Sequence, residues 1–261
     1  MRRLLALALV LMATTAGAQD RILPRSEADA GSHFLAMDSD GGRCLLEGSD
    51  LTTRHPPWST FKIPNLLIAL ETGAATGPGH WRDWDPRRRP AAGFWPPDWR
   101  QGQTLASAFR RSAVWYFSDL AQEIGGPTYR EVLARWDYGN AVAPDGSDGF
   151  WLGGPLEISI EEQARFLHRL LAGELGPTGA QIAVLAEVSA DPLPGLHGKT
   201  GSGPVEPGRF SGAFEGWYVG WVDGGPPAVF AHYMTAPSYA GLREARRERA
   251  IRFLRACGLR D

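Results

Sequence analysis

Lysine is nearly missing from this chain: two occur, Lys62 and Lys199, against 25 arginines. Arginine can replace a lysine that needs only a charge on a long stem. It cannot replace one that must lose its proton or react, because a guanidinium stays protonated while a buried lysine shifts its pKa readily. A coding bias towards arginine would also thin out lysine, so the scarcity marks two positions to inspect without assigning them a role. Cysteine is equally scarce. Cys44 and Cys257 exclude a disulfide-dense scaffold and permit one bridge, with two buried free thiols as the alternative. A charge surplus of either sign is also missing: the formal net charge is -2. That argues against nucleic acid as a main partner, since nucleic-acid-binding domains carry a basic surplus or stripe. The run Arg87-Arg88-Arg89 reads as a solvated turn. No internal repeat or low-complexity tract occurs, and no metal or separate cofactor is expected.

No apolar run is long enough to span a bilayer as a helix. The stretch 4–12 is short, follows Arg2 and Arg3, and precedes the small residues Ala16-Gly17-Ala18. This is the layout of a cleaved secretory leader over residues 1–18, which implies export into an oxidising compartment and no stable membrane insertion.

The mature chain, 19–261, suits one large domain or two intertwined subdomains, and its hydrophobic share of 43% is ordinary for a packed core. Residues 33–37 and 43–46 predict a hairpin around Asp38-Ser39-Asp40-Gly41-Gly42. A helix is expected over 63–71, closed by Gly73. Residues 74–154 read as helices at 104–111, 114–124 and 128–136 between Pro- and Gly-rich loops. A helix over 159–171 opens with Ser159 as N-cap and Glu161 and Glu162 in its first turn. Strands follow at 196–200, 216–222 and 228–234, then a helix at 242–255. Strands, helices, strands and a helix in that order predict an α+β fold. One antiparallel sheet is built from both ends of the chain and flanked by helices, and an all-helical subdomain is inserted at about 74–156.

Both lysines sit in short motifs. In Ser59-Thr60-Phe61-Lys62, spacing i, i+3 places hydroxyl and amine on one helix face, and a serine nucleophile needs such an adjacent base. Taken alone, the pattern also fits an N-cap followed by a surface lysine. Lys199-Thr200-Gly201 falls on an expected strand. Threonine offers a hydroxyl, lysine a charge for a substrate carboxylate, and glycine lets a substrate backbone approach; an edge-strand lysine before a turn is the plain alternative. Ser112-Ala113-Val114 lies between two expected helices, where the serine serves either as a proton relay to a leaving nitrogen or as an N-cap.

Together and in this order, these motifs resemble the penicillin-recognising serine enzymes. The details are similar to the class D, oxacillinase-type, β-lactamases. They comprise Ser59-Thr60-Phe61-Lys62-Ile63-Pro64-Asn65, Ser112-Ala113-Val114-Trp115-Tyr116, Tyr138-Gly139-Asn140, Phe150-Trp151-Leu152 with Gly154-Pro155-Leu156-Glu157-Ile158-Ser159, and His197-Gly198-Lys199-Thr200-Gly201. The resemblance covers essentially the whole mature chain. It implies a periplasmic enzyme, monomer or homodimer, that hydrolyses small-molecule β-lactams through an acyl-enzyme on Ser59. It further implies that Lys62 is carbamylated by carbon dioxide and acts as general base. The pocket for that group would be Phe61, Val114, Trp151 and Leu152, with the Trp151 indole N–H as donor. Ser59 and Ser202 N–H groups would form the oxyanion hole, and Ser112 linked to Lys199 would protonate the lactam nitrogen. Thr200, Gly201, Ser202 and Arg243 would bind the substrate, Arg243 being preferred over Arg246 and Arg247. Rival readings are a DD-peptidase or transpeptidase and a non-hydrolysing β-lactam sensor domain. Ser202-Gly203-Pro204 after the lysine motif, the long Gly/Pro-rich segment to Phe214, and the Trp/Arg-rich stretch 81–99 depart from the pattern. Both segments are expected to border the cleft.

Overall fold

The computed structural model describes residues 20–224 and 227–260, so the expected leader lies outside the described residues. The strands are β1 Arg21–Leu23, β2 Ser32–Met37, β3 Arg43–Leu46, β4 Trp81–Arg82, β5 Gln103–Thr104, β6 Leu196–Pro204, β7 Phe214–Val222 and β8 Ala228–Ala236. The helices are α1 Lys62–Thr72, α2 Leu105–Arg111, α3 Val114–Ile124, α4 Gly126–Trp136, α5 Ile160–Leu171, α6 Gly179–Ser189 and α7 Tyr239–Ala256. No helix among the described residues is long and apolar enough to cross a membrane.

Six strands form one sheet in the order β1-β3-β2-β8-β7-β6. Among the described residues only the β1–β3 pairing is parallel, and β4 pairs separately with β5. The sheet is therefore drawn from both ends of the chain, as the alternation of strand and helix signals predicts. Its central strands are buried on both faces, and alternate side chains divide between them. Leu35, Trp217, Val219, Ala231 and Tyr233 join the large core shared with α5 and the helical layer. Phe34, Ala36, Tyr218 and Phe230 face a smaller core with Ile251, Phe253 and Leu254 of α7.

The helical layer holds α2, α3 and α4 of the expected insert and one helix the sequence reading missed. That helix, α6, packs on α1 and α2. Its N-terminus carries a reciprocal capping box between Thr178 and Gln181, a signal readable in the sequence. Arg89 does not belong to a solvated turn: it pairs with Asp119 at 2.8 Å and Asp148 at 2.6 Å, fastening the tryptophan-rich loop to α3 and to the loop after α4.

The open cysteine question resolves as a bridge. Cys44 on β3 and Cys257 just past α7 are disulfide-bonded, with Cα atoms 6.0 Å apart. With 213 positions between them they close most of the chain into one loop, so in the chain-entropy picture the crosslink stabilises by restricting the unfolded state.

Candidate active site

Lys62 starts α1, and Ser59 sits one turn earlier in a short 3-10 segment, Trp58–Phe61. Helix α1 runs through the core and is buried from Lys62 to Ala69, ending at Gly73 in the left-handed conformation (φ 78°) that favours glycine. Its amine thus lies in the protein interior. Lys62 is fully buried, and its Nζ donates to Ser59 Oγ at 2.9 Å. Burial, reinforced by the charge of Lys199, holds the Lys62 pKa well below the ordinary lysine value. The aromatic wall includes Phe117, whose ring centroid is 5.3 Å from Nζ.

The residues expected around Lys62 divide into two sets. Phe61 and Trp151 are fully buried and stack at 5.1 Å. Val114 and Leu152 are half-buried and line the open cleft. The Trp151 indole Nε1 is buried without a hydrogen-bond partner among the described residues. Such a donor costs ~1–3 kcal/mol unless something accepts from it.

Ser112 is not the cap of α3. The helix α3 N-cap is Ala113, whereas Ser112 ends α2 with φ 60°, a left-handed conformation costly for a residue with a Cβ. Its Oγ accepts from Lys199 Nζ at 3.1 Å, across the gap between the helical layer and β6. Lys199 also donates to Thr200 O at 3.1 Å. Burial, then the neighbouring charge of Arg246, pushes its pKa down to about 7, so it titrates in the working range.

Gly201 meets a different need from the one expected. A Cβ there would lie 2.7 Å from Pro57 O and 3.0 Å from Ser59 N, so glycine is required for β6 to pass against the nucleophile turn. The direction a Cβ would take is filled by the nucleophile turn, while Gly201 itself lines the cleft. Ser202, the next residue, lines the cleft.

Arg243 is a correction. It is exposed on the outer side of α7 and does not border the cleft. Arg246, one turn further on, is buried there and donates from Nη1 to Gly201 O at 3.2 Å. The docking of α7 decides between them: Arg246 lies one turn beyond the buried Leu242 on the side that meets the sheet, and Arg243 is exposed. Neither Lys199 nor Arg246 forms an ion pair with a carboxylate among the described residues. Two unpaired cations on one wall suit an anionic ligand.

The cleft holds about 1140 Å³ and gathers Ser59, Ser112, Lys199, Thr200, Ser202 and Arg246. Both unusual segments border it. Phe94 of the tryptophan-rich loop and Phe210 of the β6–β7 loop stack at 5.4 Å, so the loops meet at the rim.

Residues 34–178 match the penicillin-binding-protein transpeptidase domain family. Beta-lactamase OXA-5 of Pseudomonas aeruginosa is 34% identical over 208 residues, 78% of this chain and 75% of that protein. Beta-lactamase OXA-2 of Salmonella typhimurium is 34% identical over 84% of this chain and 79% of its own. The chain belongs to the class D β-lactamases. A class D β-lactamase from Nostoc has a similar structure, with a TM-score of 0.78 at 28% identity, over 90% of this chain and 99% of that one. The C-terminal domain of the Bacillus licheniformis BlaR penicillin receptor is similar at a TM-score of 0.80 and 25% identity, over 94% and 99%. Sequence reasoning overlooked Trp58, Phe117 and Glu215 in this class D site. Trp58 fell in the loop before the Ser59 motif, Phe117 inside the helix expected at 114–124, and Glu215 one residue before the strand expected at 216–222.

Proposed function

We propose that the protein hydrolyses β-lactams through an acyl-enzyme on Ser59, with a carbamylated Lys62 as the base. The observation that carries this reading is Lys62 itself, fully buried, depressed in pKa and 2.9 Å from the nucleophile. Carbon dioxide reacts with a neutral amine, and burial favours that form. The partnerless Trp151 N–H, in the same core cluster, suits an oxygen acceptor, so the residues present fit a carbamate. When bound, that group supplies an anionic oxygen able to take a proton from Ser59 or from water.

The chain's own groups then divide the work. Ser59 Oγ attacks the lactam carbonyl, and the Ser59 and Ser202 N–H groups hold the developing oxyanion. Ser112 delivers a proton to the departing ring nitrogen and is resupplied by Lys199. The substrate carboxylate meets Thr200, Lys199 and Arg246, where two buried cations lack an acidic partner. The leader at 1–18 and the Cys44–Cys257 bridge both favour export to an oxidising periplasm.

The likeness to a penicillin receptor keeps one rival in view, a domain that acylates without turnover. Chromogenic β-lactam hydrolysis with and without added bicarbonate separates them. Turnover that rises with bicarbonate supports the proposal. Stoichiometric acylation of Ser59 with no turnover under either condition would replace it with the sensor reading.

A further inference from the structure

Trp58, the residue before the nucleophile, has φ 50°, a left-handed backbone unusual for so large a side chain. Such a conformation persists only where the surroundings over-determine it. Its N–H donates to Trp151 O at 3.1 Å. Its ring lies flat against β6 at Gly203, where a Cβ would come within 2.1 Å of it, and reaches Gly153 on the other side. The indole Nε1 donates to Glu215 Oε1 at 2.8 Å.

Glu215 is itself unusual. It is 7% exposed, and no Lys or Arg pairs with it among the described residues. A buried carboxylate is costly unless its lone pairs are satisfied. Its second oxygen accepts from Tyr233 OH at 2.7 Å, with His55 Nδ1 3.6 Å away. The β7 register places it opposite Gly203 and Thr235 in the sheet's rigid interior. A carboxyl group fixed on an interior strand therefore grips the one side chain whose backbone sets the Ser59 peptide plane.

We propose that Glu215 is a positioning residue for Ser59, acting through the Trp58 indole to aim the Ser59 hydroxyl and N–H. The proposal rests on the reading of Ser59 as an acylated nucleophile. The test is a double-mutant cycle of Trp58→Phe, Glu215→Gln and both, read by saturation labelling with a fluorescent penicillin. Such labelling separates initial binding, the acylation rate constant and the fraction of protein that reacts. Each single change is expected to slow acylation about tenfold with binding and labelled fraction preserved. The double variant should be no slower than the slower single one, because both remove the same hydrogen bond. A merely structural role would lower the labelled fraction and leave the acylation rate constant untouched; that result, or losses that multiply to about a hundredfold, would overturn the proposal. Trp58→Phe keeps a ring in place and keeps the measurement available if the Glu215 variant does not fold. If penicillin fails to label the unaltered protein, the β-lactam reading falls. The same cycle with a fluorophosphonate, which needs only a reactive Ser59, still decides the positioning role.

Discussion

Trp151→Phe separates a group kept for stability from one kept for carbon dioxide. The ring is fully buried, stacked on Phe61 at 5.1 Å and edge-on to Phe150 at 5.0 Å. Its N–H has no partner among the described residues. In the protein without the carbamate, removing it relieves an unsatisfied donor that costs ~1–3 kcal/mol. The smaller phenyl ring leaves a space of roughly 40 Å³, which at ~24 cal/mol per Å³ costs about 1 kcal/mol, beside the lost apolar burial. These effects offset each other, so the unfolding free energy should change by only about 1 kcal/mol. A hydrogen bond to a charged acceptor contributes ~1.5–3 kcal/mol. Carbon dioxide should therefore bind Lys62 about 10- to 150-fold more weakly in the variant. The assay is chromogenic turnover titrated with bicarbonate, alongside thermal unfolding. The expected result is low turnover at ambient bicarbonate, recovery at correspondingly higher concentrations, and a nearly unchanged melting point. Turnover equal to the unaltered protein at ambient bicarbonate would refute the assignment of Trp151.

The Lys199 pKa of about 7 places a basic limb in the pH profile. Above it, the free protein loses both the relay proton and the charge for the carboxylate, so kcat/KM should fall as pH rises past about 7. The limb in kcat should lie higher, because a bound carboxylate favours the ammonium. Lys199→Arg, slower throughout, should lack this limb; a profile flat to pH 9 in the unaltered protein would contradict the scheme. Arg246→Ala should raise KM at least tenfold with a smaller effect on kcat, while Arg243→Ala changes each by less than about twofold, by steady-state kinetics. Replacing Cys44 and Cys257 with serine should lower stability by ~2–5 kcal/mol and the melting point by about 5–15 °C, as adding reductant should in the unaltered protein. An unchanged melting point would show that the crosslink contributes nothing.

Much of the site was legible in the chain because its chemistry demands particular residue types. Only lysine can go neutral beside Ser59, so Lys62 stood out against 25 arginines. Its i, i+3 spacing from the serine brings the two together by local geometry alone. Strand and helix signals at the two ends predicted a shared sheet, and capping residues fixed several helix starts. The family was likewise readable as short patterns. Other features depended on which faces meet. Arg243 and Arg246 are equivalent in composition, and only the docking of α7 on β6 turns one inward. The reason for Gly201 is the proximity of Pro57 and Ser59, more than 140 positions earlier in the chain. The disulfide depended on the last helix packing beside β3. The depressed pKa of Lys199 comes from burial and from Arg246, neither of which its own motif encodes. Local sequence determined which chemistry was available, through residue type and short spacing. The tertiary structure decided which groups are buried, charged and within reach, because desolvation and long-range contacts exist only once the sheet and the helical layer have closed on each other.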